Sequence, residues 1–186
     1  MKAAVIIAPG CEEGEALTIV DIFRRAEITC NMIGLNAEDI TGAHQITMRC
    51  DHVLDENLKD YDMVILPGGY EGTDAMAASE SLRTSLQEMN RAGKYIAALC
   101  AAPEVLDQAG LLEGKTFTCY PTVAEQIRSG NRTDDVTVQD GNIITGKGPA
   151  LAWAFAYRLV DILGGGSETV KKRMVYYNAF DVKEEG

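Results

Sequence analysis

Short apolar runs alternate with longer amphipathic runs along this chain, and this alternation limits the folds that it can adopt. Buried strands are predicted for the runs rich in valine, isoleucine and alanine, at 2–8, 28–35, 62–66 and 94–99. Amphipathic helices are predicted between and beyond these runs, at 15–26, 80–91, 101–109, 149–163 and 168–176. Because strands that alternate with helices form mostly parallel sheets with helices on both faces, the sequence predicts a doubly wound α/β fold.

Other segments carry weaker or more local signals. Residues 45–53 are predicted to be an edge strand or a hairpin, followed by a helical turn at 55–58. A short strand is predicted at 116–120, and Asp140-Gly141 within 136–145 predicts a hairpin. The first helix is predicted to bury one stripe of apolar side chains: Leu17, Val20, Ile22, Phe23 and Ala26.

Length, composition and charge restrict the class of protein. The chain has 186 residues, 46% of them hydrophobic, and no Pro-, Ser- or charge-rich linker divides it. One domain is therefore predicted over residues 1–186. The net charge of -11 argues against nucleic acid and anionic membranes as partners, because phosphates are bound chiefly through Lys and Arg. A small neutral substrate, such as a reactive carbonyl compound, is compatible with this charge.

The N-terminus and the cysteines both indicate a reducing, cytoplasmic location. The apolar stretch 3–8 ends at Pro9-Gly10 and is too short for an export signal or a membrane span. The five cysteines are odd in number and widely spaced, without a CxxC pair, so neither a disulfide framework nor a zinc site is predicted. Cys30 and Cys50 are expected to be inert buried thiols.

Cys100 stands where the strand at 94–99 meets the helix at 101–109, so a sharp strand-to-helix turn is predicted there. At such a turn the sulfur faces the unpaired N–H groups of the first helical turn. Their partial positive charge favours the thiolate, so we expect the pKa of Cys100 to be lowered and the thiol to be a reactive nucleophile.

The residues that follow the predicted strands are chemically unusual. Ligands of a doubly wound sheet bind beyond the carboxyl ends of the strands, so these residues are expected to meet at one mouth. They include carboxylates, a glycine pair, the thiol, a phenol and a cation: Glu12, Glu13, Glu15, Gly68, Gly69, Cys100, Tyr120 and Lys147. Because three glutamates would repel phosphate, a flavin or nucleotide is disfavoured, and no cofactor is predicted. No metal is predicted either.

The glycine pair Gly68-Gly69 ends the strand that is expected to lie beside Cys100. A tight turn is one explanation for such a pair. The alternative is a binding role, because glycine lets backbone N–H groups approach a substrate oxygen closely. Together with the N–H of Ala101, the pair would then form an oxyanion hole.

A base for the thiol must also be found. The two histidines, His44 and His52, precede the thiol and lie in the polar edge region, where they are expected to be solvated or locally hydrogen-bonded. This pattern argues against a papain-like protease and a glutamine amidotransferase. A carboxylate can act as the base if burial raises its pKa, and Glu15 is the candidate, with a helix-start charge as the alternative. Glu12 and Glu13 are expected to be solvated or to be helix-start charges.

Four segments together resemble the ThiJ/PfpI family, and within it the branch that contains the Parkinson-disease protein deglycase. They occur in order along nearly the whole chain, at 8–15 (APGCEEGE), 64–69 (VILPGG), 97–103 (AALCAAP) and 146–149 (GKGP). The resemblance implies a flavodoxin-like three-layer sandwich and a homodimer. It also implies an oxidation-prone nucleophile at Cys100, a neighbouring glutamate at Glu15 and an oxyanion glycine at Gly69.

Three positions depart from the pattern of that family. Some members have histidine where this chain has Tyr120, so a contact between the thiol and a histidine is not expected. Ala101 stands where protease-like members have histidine, which argues against protease activity. Lys147 stands in place of an arginine, which keeps the charge but loses the bidentate fork.

Two functional hypotheses follow from these residues and the resemblance. In the first, the chain is a cofactor-free enzyme of the glyoxalase or deglycase type. Cys100 adds to a 2-oxoaldehyde such as methylglyoxal, or to an early glycation adduct, and Glu15 moves the proton. In the second, the chain is an oxidative-stress sensor or chaperone, in which Cys100 is oxidised to the sulfinate and protonated Glu15 donates a hydrogen bond to it.

Overall fold

A seven-stranded sheet forms the centre of the protein, which is described over residues 1–179 in a computed structural model. The strands are β1 (Lys2–Ile7), β2 (Thr29–Gly34), β3 (Asp39–Thr41), β4 (Thr47–Arg49), β5 (His52–Val53), β6 (Met63–Leu66), β7 (Tyr95–Leu99), β8 (Thr116–Phe117), β9 (Asn131–Arg132), β10 (Thr137–Asp140) and β11 (Ile143–Gly146). The helices are α1 (Glu13–Arg25), α2 (Tyr70–Ala78), α3 (Glu80–Arg91), α4 (Pro103–Gln108), α5 (Ala152–Ile162) and α6 (Ser167–Arg173). Single 3-10 turns lie at Glu56–Asp60, Pro121–Val123, Pro149–Leu151 and Tyr176–Asn178.

The central sheet has the strand order β10-β11-β7-β6-β1-β2-β5. All neighbouring strands are parallel except β10 and β11, which form the hairpin predicted at Asp140-Gly141. The chain winds outward from β1 in both directions, so the predicted doubly wound sheet is confirmed. The carboxyl ends of β1 and β6 meet at the point where the winding reverses, which is where sheets of this kind bind ligands.

Both faces of the sheet are covered, because successive residues of a strand point to opposite sides. Val5 and Ile7 of β1 belong to an apolar cluster that includes Phe23 of α1 and residues of α5. Ala4 and Ile6 belong to a second cluster, which includes residues of α2, α3 and α4. The result is the three-layer arrangement expected for a flavodoxin-like fold.

The helix α1 differs from the prediction in the burial of one side chain and in its first residue. Leu17 was predicted to be buried but is 40% exposed, because the buried face of α1 runs through Ala16, Ile19 and Phe23. The helix begins at Glu13 rather than at residue 15. This earlier start places Glu13 on the inner face of the first turn.

Other segments deviate from the predictions where small or polar residues weaken the sequence pattern. The helix α2 was not predicted, since it is short and carries few large apolar residues. Residues 45–53 contribute to both structures that were considered, because β4 pairs with β3 in a hairpin and β5 is an edge strand of the main sheet. The strand predicted at 116–120 ends at Phe117 and pairs with β9, outside the main sheet.

The helix ends follow local signals of the sequence. Acidic residues occupy the first turn of α1 and basic residues its last turn, which is favourable with the helix dipole. The Ser79 hydroxyl caps α3 by accepting a hydrogen bond of 3.3 Å from the Leu82 N–H, and Pro103 begins α4. Within residues 1–179, no helix has both the length and the apolar character needed to cross a bilayer.

Candidate active site

Cys100 occupies the sharp turn that was predicted between β7 and α4. Its φ of +62° lies in the left-handed region, which costs a residue other than glycine about 1–3 kcal/mol. Two backbone hydrogen bonds hold this turn: the Cys100 N–H donates to Gly146 O (2.9 Å), and the Tyr120 N–H donates to Cys100 O (2.8 Å). These two hydrogen bonds fix the backbone of Cys100 between β11 and the segment after β8.

Glu15, in the first turn of α1, is the carboxyl group beside this thiol. It is fully buried (0% exposed), its Oε2 accepts a hydrogen bond of 2.7 Å from the Gly68 N–H, and its Oε1 is buried without a hydrogen-bond partner among the described residues. Burial raises the pKa of Glu15 to about 7, although the hydrogen bond from the Gly68 N–H acts in the opposite direction. The rise agrees with the prediction for a buried base, and Glu15 is a first-turn residue of α1 that is buried rather than solvated. A carboxyl with this pKa can both accept and donate a proton near neutral pH.

The pKa of the Cys100 thiol is raised, although the sequence predicted that it would be lowered. Burial is the largest cause, followed by the negative charge of Glu15. The backbone N–H groups of Ala101 and Gly69 act in the opposite direction, but they do not outweigh the first two causes. The thiol and the carboxyl thus form a coupled pair, in which a thiolate forms when the proton of Cys100 passes to Glu15.

Gly68 and Gly69 allow the backbone to approach this pair closely. A Cβ at Gly68 would lie 2.6 Å from the Cβ of Cys100 and 3.0 Å from Oε2 of Glu15. Gly69 has a φ of +90°, and a Cβ there would lie 2.6 Å from Gly10 O. The pair therefore does more than close a turn, since it gives the thiol and the carboxyl room to meet and directs an N–H at the sulfur.

Replacing Gly68 with alanine is expected to push the thiol and the carboxyl apart. The added methyl group has no room between Cys100 and Glu15, so we expect the variant to be destabilised by about 1–3 kcal/mol, as in other overpacked cores. Urea unfolding would measure this loss. The control is Gly14→Ala in α1, where the Cβ would meet nothing closer than Glu12 Oε1 at 3.4 Å, so stability should be unchanged or raised. A Gly68→Ala variant as stable as the native protein would contradict this account of the site.

A pocket of about 220 Å³ is lined by Cys100 and by residues from several loops. Its lining residues are Glu12, Ala43, His44, Gly69, Tyr70, Cys100, Ala101, Tyr120 and Pro149. The rings of Tyr70 and Tyr120 meet edge to face, with their centroids 6.4 Å apart. The volume is below that of a typical drug-sized site, so the pocket suits a small substrate.

Three predicted site residues do not line this pocket: Glu15, Gly68 and Lys147. Glu15 and Gly68 lie behind Cys100, whereas Lys147 is engaged elsewhere. Its Nζ donates to Asp134 Oδ1 at 2.7 Å, and this contact is the main reason why the pKa of Asp134 is lowered. Its backbone N–H donates to Val136 O, which turns the end of β11 toward the segment that carries Asp134. The prediction that this cation would join the mouth of the site is therefore wrong.

Glu13 and His44 form a contact that was not predicted. Glu13 was expected to be solvated or to be a helix-start charge; it is the first residue of α1 but is only 2% exposed, and its Oε1 accepts a hydrogen bond of 2.7 Å from the His44 N–H. His44, expected to be solvated or locally hydrogen-bonded on an edge, is 65% exposed and hydrogen-bonded to Glu13, and it also lines the pocket with Cys100. The helical period that links Glu13 to Ala16 and Val20 could have indicated its burial. No local signal indicates His44, because it lies 31 residues from Glu13 along the chain.

Glu12, Glu13 and His44 each place one potential metal-ligand atom within 4.8 Å of the others. Both oxygens of Glu13 are already engaged, since Oε1 accepts from the N–H groups of His44 and Ile46 and Oε2 lies 3.0 Å from His44 Nδ1. The cluster is thus a hydrogen-bonded unit of the protein itself.

Comparison with known proteins finds relatives along nearly the whole chain. The sequence profile of the DJ-1/PfpI family matches residues 1–162. Protein dj-1beta of Drosophila melanogaster is 38% identical over 184 residues, which are 95% of this chain and 98% of that protein. A crystal structure of Drosophila melanogaster DJ-1beta matches with a TM-score of 0.90 and 36% identity, over 94% of this chain and 98% of that one.

Of two further relatives, one is named for an enzymatic activity and the other for an oxidised state. A Caenorhabditis elegans protein named glutathione-independent glyoxalase DJR-1.2 is 31% identical over 173 residues, which are 90% of this chain and 92% of that protein. The structure of Toxoplasma gondii DJ-1, oxidized, matches with a TM-score of 0.87 and 28% identity, over 94% of this chain and 97% of that one. The family match at residues 1–162 includes every residue that surrounds the Cys100 pocket.

Proposed function

The chain belongs to the DJ-1/PfpI family, and from this membership and the Cys100 site we propose that it is a cofactor-free glyoxalase-type enzyme. It converts 2-oxoaldehydes such as methylglyoxal to 2-hydroxy acids, with Cys100 as the nucleophile and Glu15 as the base. The observation that carries this proposal is the fully buried Glu15 carboxyl, which lies with Cys100 around Gly68 and has its pKa raised to about 7. A buried group with such a pKa is suited to exchange protons in a reaction at neutral pH.

The reaction begins with addition of the thiol to the aldehyde carbon, C1. The proton of Cys100 passes to Glu15 as the sulfur forms a bond with C1, and Glu15 then gives that proton to the aldehyde oxygen, which becomes the C1 hydroxyl of a hemithioacetal. The N–H groups of Gly69 and Ala101 act to lower the pKa of the Cys100 thiol, so they favour negative charge at the sulfur. They are therefore placed to stabilise negative charge that develops beside it on the substrate oxygen.

The hemithioacetal then rearranges by proton transfer. Glu15, ionised again, removes the hydrogen of C1 as a proton, and the electron pair left behind forms an enediolate with the former ketone carbon, C2. Glu15 returns the proton to C2, which leaves a 2-hydroxy thioester on Cys100. Water hydrolyses this thioester, and the thiol regains its proton as the 2-hydroxy acid leaves.

This sequence is an isomerisation followed by hydrolysis, so it balances without an oxidant or a reductant. The pocket of about 220 Å³ fits a substrate of this size. The name of the Caenorhabditis elegans relative, a glutathione-independent glyoxalase, supports the reaction class. Because early glycation adducts derive from the same carbonyl chemistry, they are proposed as alternative substrates of the same thiol.

Lactate formation from methylglyoxal by the native protein tests this function. We expect methylglyoxal to disappear and lactate to appear in equal amounts, without added glutathione and in the presence of a metal chelator. A free thiol at the same concentration is the control, because it forms a hemithioacetal but has no base positioned to rearrange it. Loss of methylglyoxal without lactate would show that the protein only scavenges the aldehyde, which contradicts the proposal.

A second candidate function is a redox sensor in which Cys100 is oxidised without turnover. It is favoured by the position of Cys100, since all five cysteines are buried but only Cys100 lines the pocket. Two equivalents of hydrogen peroxide would oxidise this thiol to the sulfinate and be reduced to water, and protonated Glu15 would donate a hydrogen bond to the new oxygens. The lactate assay separates the two functions, because a sensor forms no 2-hydroxy acid.

A further inference from the structure

The hairpin tip between β3 and β4 places a histidine in the wall of the Cys100 pocket. His44 lines this pocket, and its side chain is 65% exposed, so the ring is accessible to a molecule that enters. Neither His44 nor its partner Glu13 takes part in the reaction described above. In that reaction Glu15 carries a proton from C1 to C2. A second proton must also pass from the C1 hydroxyl to the C2 oxygen, and no group has yet been assigned to that transfer.

Glu13 fixes the backbone and the ring of His44 at the same time. Its Oε1 accepts from the His44 N–H at 2.7 Å, and its Oε2 lies 3.0 Å from Nδ1. Gly42 allows this contact, because a Cβ there would lie 2.4 Å from Glu13 Cγ. The hairpin tip is also tied to the loop after β1, since the Ala43 N–H donates to Cys11 O at 2.9 Å. The orientation of the imidazole is therefore set before any substrate binds.

The charges around His44 favour its protonated form. Burial would raise the pKa of Glu13, but hydrogen bonds from its own N–H and from His44 keep that pKa below the ordinary value. The hydrogen bond to Glu13, together with the charges of Glu12 and Glu13, raises the pKa of His44. The titratable groups that line the pocket with it are Glu12, Tyr70, Cys100 and Tyr120.

Among the residues that line the pocket, the imidazole is the group best suited to proton transfer between oxygens. A histidine side chain ordinarily exchanges protons near neutral pH, which carboxylic acids and phenols ordinarily do not. The Glu13 carboxylate engages Nδ1. Within residues 1–179, no hydrogen bond is made by Nε2, so this nitrogen remains available to a substrate.

We infer that His44, oriented by Glu13, is a second catalytic residue that transfers protons between the two oxygens of the bound substrate. This inference rests on the proposed glyoxalase function. As Glu15 removes the C1 proton, His44 gives a proton to the C2 oxygen and an enediol forms. As Glu15 returns its proton to C2, the C1 hydroxyl gives its proton to His44 and becomes the thioester carbonyl. Each group ends in its starting protonation state, so the cycle balances.

The chain provides a matched control, because His52 is its only other histidine and does not line the pocket. We expect His44→Ala to lower kcat for lactate formation by about 10²-fold, within the range found for general acid–base residues. The same change at His52 should leave kcat at the native value. Because His44 is 65% exposed, added imidazole should restore part of the lost rate in His44→Ala, which a purely structural role would not allow.

Glu13 is a positioning residue, and its test is the pH profile. If protonated His44 is the acid, activity is lost as the pH rises through its pKa, on the alkaline side of the profile. Replacing Glu13 with glutamine removes the main cause that raises this pKa, so the alkaline limb should move to lower pH. In a His52→Ala background the one remaining imidazole can be titrated by NMR, and Glu13→Gln should lower its pKa.

The outcomes separate this inference from the function on which it rests. If the native protein forms lactate and His44→Ala has the same kcat, the role of His44 is contradicted and the glyoxalase function is left intact. A lowered kcat that imidazole does not restore, with an alkaline limb unmoved by Glu13→Gln, would also contradict it. No lactate formation by the native protein would contradict the glyoxalase function and this inference together.

Discussion

Replacing Cys100 with alanine is expected to reduce lactate formation from methylglyoxal to the buffer background, a loss of about 10⁴-fold or more. The sulfur is the atom that bonds to C1, so the variant has no nucleophile with which to form the hemithioacetal. Neither Glu15 nor the N–H groups of Gly69 and Ala101 can replace it, since they act on an intermediate that no longer forms. The measurement is lactate quantified against time, under the conditions used for the native protein.

The control for this prediction is Cys30→Ala, which removes a thiol that is 2% exposed in β2. Cys30 does not line the pocket, so this variant should lose some stability and keep its rate. Thermal unfolding of both variants would show that Cys100→Ala is folded while it is assayed. Turnover by Cys100→Ala at a substantial fraction of the native rate would contradict the covalent mechanism.

Glu15→Gln is expected to lower the rate by about 10²–10⁴-fold, the range found for general acid–base groups. The amide can still accept the hydrogen bond from the Gly68 N–H, but it cannot take the proton of Cys100 or that of C1. In the native protein Glu15 must be ionised to act as the base, so activity should rise as the pH rises through about 7. In Glu15→Gln this acidic limb should disappear.

The same variant is expected to be more stable than the native protein above neutral pH. Because the pKa of Glu15 is higher in the folded state, folding favours the protonated form, and stability is lost as the pH rises through the range from about 4.5 to about 7. A shift of this size corresponds to about 3 kcal/mol at pH 8, which a neutral glutamine avoids. Urea unfolding at pH 5 and pH 8 would measure this difference.

The two readouts together separate loss of the base from damage to the fold. Asp21→Asn is the control on the same helix, since Asp21 is exposed and pairs only with Arg25 at 2.8 Å. It should change neither the rate nor the pH profile, and should alter stability by less than about 1 kcal/mol. A Glu15→Gln variant that keeps its rate, or one that is slow and also unfolds more readily at pH 8, would contradict the role proposed for Glu15.

The local sequence determined the parts of this protein that depend on short stretches of chain. The apolar runs predicted β1, β2, β6 and β7, since a strand buried on both faces needs little else to be recognised. The same patterns placed Cys100 at a strand-to-helix turn. Gly68-Gly69 was predicted beside it, because the ends of neighbouring parallel strands meet at one edge of the sheet.

Signals that depend on the surroundings of a helix were less complete. The helix α2 was missed because Gly72 and other small residues weaken its pattern. That glycine is needed where the helix backbone packs on the loop after β1, since a Cβ at Gly72 would lie 2.5 Å from Cys11 Cα. Leu17 was predicted to be buried but is exposed, because an apolar residue at the edge of a helix's buried face can point either to the core or to solvent.

Only the tertiary structure shows the electrostatics of the site and the contact between His44 and Glu13. The pKa of Cys100 depends on how deeply the sulfur is buried and on how close Glu15 comes to it, and both follow from packing across the sheet. His44 reaches the pocket because a hairpin tip folds onto the start of α1, over a separation of 31 residues from Glu13. Burial and Coulomb interactions depend on distances in space, so a sequence can name the reactive side chains while only the fold sets their protonation and their partners.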